Sequence, residues 1–242
     1  MSISAEFENA LAAVTEPELD GPELLPVRLA RACARMLPVD GAGISLVDGA
    51  QQRVPLGASS EPAADAERLQ FTVGEGPCMT SQNTRMPVFA VEEELHRRWP
   101  VFSDLLVGGT PYRAVVALPL QPALAGAGAI DLYFETSARV TELDVFEAMT
   151  VGDIVTTALS EAAVWSTWTP GEGPAWLQGP VPQRRAAVWE ALGKVCVDLE
   201  IDTPAALSLL RLHAYGTDSS VDDVAARVLL GEVRPMDLLP TD

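Results

Sequence analysis

Apolar positions in this chain follow two rhythms, and the change from one to the other divides the sequence. Over residues 23–37 they fall at Leu24, Val27, Leu29, Ala30, Cys33, Ala34 and Leu37, the spacing of one helical face, which Pro38 and Asp40-Gly41 bring to an end. Short apolar runs bounded by Gly, Pro or acidic residues follow, as strands are. They are A-G-I-S-L-V with its D-G turn, R-V-P-L-G-A-S-S close enough to pair with it as a hairpin, P-V-F-A-V-E at 87–92, A-V-V-A-L-P-L at 114–120 and G-A-I-D-L-Y-F-E at 128–135. F-T-V at 71–73 reads as another strand-like run, turning into a helix near Met79. Thr141 is expected to cap a long helix that carries Val145, Met149, Gly152, Ile154, Val155, Ala158, Leu159 and Ala162 near one face. This order predicts an α+β fold, an antiparallel sheet with helices on one face.

Residues 165–182 are rich in proline and glycine and read as a linker. Their tryptophans, Trp165, Trp168 and Trp176, are expected to dock on a neighbouring surface rather than to form a ligand cage. Beyond them the rhythm is helical three times. Residues 184–199 align Val188, Leu192, Val195 and Leu199. D-T-P at 202–204 is a cap followed by proline at the first helical position, and opens a helix with Leu207, Leu210 and Ala214. S-V-D-D at 220–223 is a capping box with Asp in place of Glu, and opens a third helix through Val224, Val228 and Leu229 to Gly231. Three short helices in roughly 50 residues bury little, so support from a neighbour or dimer partner is expected. The predicted domains are 1–164, a linker at 165–182, and 183–242.

Charge narrows the possible partners. The formal charge of −18 excludes a broad basic face. Residues 1–168 hold 10 Lys and Arg against 23 Asp and Glu, net −13; residues 181–242 hold 6 against 10, net −4. A polyanion bound by the second part must meet a local cluster. Lys194 is the single lysine, so cationic contacts fall to arginines, which suit bidentate phosphate or carboxylate recognition. No run approaches the ~20 apolar residues that cross a bilayer, and no secretory signal is visible, so the expectation is a cytoplasmic protein without a membrane partner. Cys33, Cys78 and Cys196 are too widely spaced for a disulfide framework or a zinc pattern. No metal and no cofactor are expected; haem in particular lacks an axial ligand, since His96 and His213 sit in charged or helical surroundings.

The carboxyl-terminal pattern V-W-E-A-L-G-K-V-C-V-D-L-E-I-D-T-P-A-A-L-S-L-L-R-L-H-A-Y-G-T-D-S-S-V-D-D-V-A-A-R-V-L resembles an ANTAR domain, a three-helix module of bacterial antitermination regulators. The matching points are Ala191 and Gly193, then Ala206, Leu210-Arg211 and Ala214, then Val224-Ala225. Helix one reads A-L-G where the family usually has A-K-G, with the lysine displaced to Lys194. The first two-thirds resembles a GAF domain of the kind paired with ANTAR modules. G-E-G-P-C at 74–78, R-W-P-V-F at 98–102, A-L-P-L at 117–120 and G-A-I-D-L-Y at 128–133 carry that likeness. The resemblance implies a dimeric regulator in which a sensor of a small-molecule ligand governs binding to RNA hairpins in nascent transcripts. Its RNA-contacting candidates are Arg184, Arg185, Lys194, Arg211, Tyr215 and Ser220. On charge alone, Tyr215 packing at a helix junction and Arg211 pairing with an acid is the expected outcome; the resemblance favours contact with RNA loops.

Cys78 and Glu75 are the sensor-cavity candidates. A helix starting near Met79 is expected to lower the Cys78 pKa, yet no histidine is near in sequence and cysteine is commonly buried, so a structural turn at the cavity wall ranks above redox or ligand sensing. G-E-G-P is no phosphate cradle: Glu75 repels phosphate and Pro77 lacks a donor. No catalytic residue is assigned. E-E-E-L-H-R-R-W-P reads as a solvated face, with Arg97 and Arg98 on the surface or ion-paired and Trp99 and Phe102 in the core. Two alternatives stand beside the regulator: a GAF-fold enzyme of the free methionine sulfoxide reductase type, and a ligand-controlled dimerisation module without RNA binding.

Overall fold

The computed structural model describes residues 2–47, 53–123, 126–165 and 173–240; the D-G turn at 48–49 and Trp168 lie outside them. Among the described residues five strands form one antiparallel sheet: β1 (Gly41–Val47), β2 (Arg53–Ala58), β3 (Val88–Ala90), β4 (Ala114–Ala123) and β5 (Gly126–Phe134), in the order β2-β1-β5-β4-β3. β1 and β5 lie at the centre, in register from Gly41 opposite Tyr133 to Val47 opposite Ala127. The class is α+β, and each apolar run from residue 41 onward is a strand except F-T-V.

Alternation along the strands sends Ala42, Ile44 and Leu46 of β1, Val116, Leu118 and Leu120 of β4 and Ile130 and Leu132 of β5 to one face. There α1 (Ile3–Ala12), α2 (Leu25–Met36) and α7 (Val145–Trp165) cover them with Phe7, Leu29, Cys33, Val151 and Val155. The opposite face is covered too. Val115, Ala117 and Tyr133 meet Ala63, Ala66, Leu95, Trp99, Phe102 and Leu106 from α3 (Glu61–Val73), α5 (Glu92–Arg98) and α6 (Pro100–Gly109), with α4 (Pro77–Thr84) alongside. The expectation of helices on one face is therefore corrected. A-V-V-A-L is apolar at consecutive positions, so both sides of β4 need cover.

Two further element assignments change. Phe71–Val73 is the last turn of α3, which Ser60 caps by accepting from the Ala63 N–H at 3.4 Å. β-prone residues at its end mimic a strand, and tertiary packing overrides them. The cap of α7 is Asp144, whose Oδ1 accepts from the Phe146 and Glu147 N–H groups at 2.9 and 3.2 Å. Thr141 sits in the preceding 3-10 turn, Ser137–Glu142.

The remaining chain is helical as read, in α8 (Pro180–Leu199), α9 (Thr203–Gly216) and α10 (Val221–Leu229). α8 starts at Pro180 instead of residue 184, because prolines fit a first turn whose N–H groups have no intrahelical partner. The sequence read as linker thus ends in regular structure. Trp176 is buried before it and donates its Nε1–H to the Leu159 carbonyl at 3.1 Å, docking the connection on α7. Asp202 caps α9, and Ser220 with Asp223 forms both halves of the capping box on α10. The three helices share a core of Val188, Ala191, Leu192, Leu210, Ala214, Val224 and Val228, and one residue of α3, Phe71, belongs to it.

Candidate functional site

The second face of the sheet carries a group of buried polar side chains among its apolar cover. β1, β2 and β5 contribute Ser45, Arg53, Asp131 and Tyr133; α3 adds Glu67 and Gln70, and α4 adds Cys78 and Gln82. Arg53 is the hub. Its Nη2 lies 2.5 Å from Glu67 Oε2, 3.2 Å from Cys78 Sγ and 3.5 Å from Asp131 Oδ2, and its Nη1 donates to the Glu67 carbonyl at 3.2 Å. The Tyr133 hydroxyl donates to Glu67 Oε1 at 2.6 Å. Gln70 donates to Asp131 Oδ2 at 2.9 Å and accepts from the Cys78 N–H at 3.0 Å. Ser45 Oγ is 3.4 Å from Cys78 Sγ and accepts from Gln82 at 3.3 Å.

One guanidinium faces two carboxyl groups, and a second buried negative charge is costly. Burial and then Glu67 hold the Asp131 carboxyl well above the usual carboxylate range, against the pull of Arg53. Burial also pushes the Cys78 thiol well up, although Arg53 opposes it. Cys78 stands in the first turn of α4. The expected lowering of its pKa is nevertheless corrected, since loss of solvent outweighs one short helix. The thiol is neutral and shielded, a poor nucleophile. Arg53 Nε and Asp131 Oδ1 are buried without hydrogen-bond partners, leaving one donor and one acceptor of the cluster unused. A cleft of about 200 Å³ reaches Glu67 between Pro55, Gly57 and Ala64 on the α+β half and Val181, Arg184 and Arg185 on α8.

The two sensor-cavity candidates are separated. Cys78 is in the cluster, while half-buried Glu75 faces a different cleft of about 980 Å³ shared with Arg211, Tyr215 and Ser220. The G-E-G-P stretch is a turn with a positional purpose. Gly74 ends α3 at φ +86°, and a Cβ on Gly76 would stand 2.4 Å from Gln70 Oε1. Sequence reasoning missed Arg53, Glu67, Gln70, Asp131 and Tyr133. Asp131, an acid within an otherwise apolar central strand, was the available signal.

On α5, Glu94 pairs with Arg97 and with Arg98, and His96 is exposed at 3.9 Å from Asp104. Trp99 and Phe102 are buried. Among the described residues no set of three His, Cys, Asp or Glu side chains is placed to hold a metal ion, and no helix is long and apolar enough to cross a membrane.

The carboxyl-terminal candidates are scattered. Arg184 is exposed, and exposed Lys194 pairs with Asp198 at 3.3 Å. Tyr215 is 66 % exposed. Ser220 spends its hydroxyl on Asp223. Arg185 is buried: Nε and Nη2 donate to the two Asp222 carboxylate oxygens at 3.2 and 3.1 Å, and its Cζ lies 3.3 Å from the Phe71 ring centroid. Burial pulls its pKa down to about 10, with Asp222 opposing. Arg211 donates from Nε and Nη2 to the Phe71 carbonyl at 3.2 and 3.1 Å. Arg185 and Arg211 thus meet at one place, Phe71 of α3.

No family model matches the chain, and no curated protein matches it. Solved structures of GAF domains are its structural neighbours. That of a phosphoenolpyruvate-protein phosphotransferase from Acinetobacter is 12% identical, over 70% of this chain and 100% of that one, with a TM-score of 0.46. The equivalent domain from Coxiella burnetii is 14% identical, over 67% and 95%, also at 0.46. The fRMsr of Staphylococcus aureus, solved in complex with substrate, is 12% identical over 66% and 94%, at 0.43. Likeness at this level assigns no activity, so the functional reading rests on the chain's own residues.

Proposed function

We propose that the chain is an antitermination regulator whose α+β half senses a small molecule and whose three-helix half binds hairpins in nascent RNA, acting as a homodimer. The observation that carries this reading is the fate of the motif residues. Ala191, Ala206, Leu210, Ala214, Val224 and Ala225, six of the points of likeness to the ANTAR pattern, lie in the core of one three-helix bundle, while Gly193 is exposed and Arg211 is half-buried against Phe71. The sequence pattern is therefore the pattern of that bundle's packing. RNA contacts then fall to its polar rim, where exposed Tyr215 offers a ring for stacking on unpaired bases. With a net charge of −4 over residues 181–242, binding is expected to be weak and salt-sensitive. Thiol catalysis is disfavoured, because Cys78 is neutral and enclosed while Cys33 lies in the core across the sheet.

The test is a titration of a two-hairpin RNA at low salt against wild type and Tyr215→Ala. Loss of the stacking ring is expected to cost about 1–3 kcal/mol. An RNA that fails to bind the wild type at any salt, while the protein still sediments as a dimer, would leave the dimerisation module as the better reading. A Cβ on Gly152 of α7 would stand 3.5 Å from Leu120 of the sheet, and among the described residues Phe146 and Val164 are the large apolar side chains that α7 leaves exposed.

A further inference from the structure

The last turn of α3 faces two ways. Glu67 and Gln70 point into the buried cluster of the sensor sheet, and the next two residues enter the three-helix bundle. Phe71 is 3 % exposed, with the Trp189 ring edge-on at 6.0 Å and 88°, and with the Arg185 and Arg211 guanidinium carbons 3.3 and 5.5 Å from its centroid. Its carbonyl, unpaired at a helix carboxyl end, takes both Arg211 hydrogen bonds, a favourable place for a cation. Thr72 Oγ1 accepts from the Val221 N–H at 3.2 Å, satisfying a first-turn donor of α10. Gly74 completes the fit, since a Cβ there would stand 2.7 Å from Arg211 Cζ. Beside this contact, the cleft that holds Arg211, Tyr215 and Ser220 is walled opposite them by Glu75 and by Asp65, which pairs with Arg68 of the same wall.

We propose that the carboxyl-terminal turn of α3 and RNA are alternative occupants of one face of the three-helix domain, so that docking on Phe71 and Thr72 keeps Arg185 and Arg211 from RNA. In the docked form Arg185 is enclosed, Arg211 is engaged by a carbonyl, and acidic side chains face the path a phosphate chain would take. Undocking frees Arg211 and uncovers Trp189 and the unpartnered Nη1 of Arg185, whose other donors stay on Asp222 of the same bundle. The RNA half of this inference rests on the function proposed above; the docking does not.

The experiment uses the full chain with Phe71→Ala and Thr72→Val, the second removing one hydrogen bond at nearly constant shape. Radius of gyration by X-ray scattering reads undocking, circular dichroism checks helicity, and titration of the two-hairpin RNA reads competition. If about nine molecules in ten are docked, full release raises apparent RNA affinity about tenfold. Phe71→Ala is expected to expand the protein and approach that gain; Thr72→Val is expected to move both readouts the same way by about threefold or less. Should Phe71→Ala lose helicity, Thr72→Val decides. A variant that expands yet binds RNA no more tightly than a binding wild type overturns the competition and leaves the RNA function standing. Unchanged dimensions in both variants overturn the docking. Expansion with no RNA bound by any form removes the RNA function, and the competition with it.

Discussion

Asp131 shows how a single residue can set the pH response of the α+β half. Its folded pKa lies above the ordinary 3.8, driven first by burial and then by Glu67. Its contribution to stability is therefore fully present below the unfolded pKa, and is lost as pH rises through the folded value. An asparagine at this position mimics the protonated acid and carries no such loss. Asp131→Asn is expected to be at least as stable as wild type at pH 7, with its advantage growing as pH rises above the ordinary carboxylate value, as read from urea midpoints. The residues facing it are Arg53, Glu67, Cys78 and Tyr133, with Gln70 donating to its Oδ2. Glu67→Gln should behave oppositely. It strips the short partner from a buried guanidinium and is expected to cost about 3–5 kcal/mol. A variant of Asp131 that loses stability relative to wild type as pH rises would mean the carboxylate is ionised and needed.

At the scale of elements, strands and carboxyl-terminal helices were legible because their signals are local: apolar runs between turn residues, and the D-T-P and S-V-D-D openings. α3 was not, because its end is spelled F-T-V-G, and its purpose depends on partners as distant as Asp131 and Arg211. The polar cluster was hidden for the same reason, as Arg53 and Asp131 stand 78 positions apart. Ser220 is the converse case, a local capping signal that shows in the structure. Counted as an RNA contact and as a cap, its hydroxyl accepts from the Asp223 N–H at 3.1 Å and bonds the Asp223 carboxylate at 2.6 Å. Ser220→Ala is expected to destabilise the three-helix domain by about 1 kcal/mol in denaturant titration, as the loss of an N-cap does. RNA affinity measured where the domain remains folded should change less than with Tyr215→Ala.

Among the described residues there are three apolar cores, two on the faces of the sheet and one in the bundle, and α3 takes part in two of them. Ala63 and Ala66 pack on the sheet, while Phe71 fills the bundle. A bundle of roughly 50 residues buries a small fraction of its surface, so its margin of stability is slight and one large aromatic is a substantial share of it. Trp176 on Leu159 and Arg211 on Phe71 tie the bundle to α7 and α3 at separate points. Wild type is therefore expected to melt as one cooperative unit in calorimetry, because unfolding either part removes contacts from the other. Phe71→Ala deletes a buried aromatic, at about 3–5 kcal/mol, and breaks the shared core without touching the sheet. It should split the endotherm, with the bundle melting first and the transition of the α+β half near its original temperature. Trp176→Ala offers the control at the other tie. It loosens the connection but leaves Phe71 in place, so it is expected to lower the transition while keeping it single. Two transitions in wild type, or one in Phe71→Ala with both halves still folded at the start of the scan, would show that the shared core does not couple the halves.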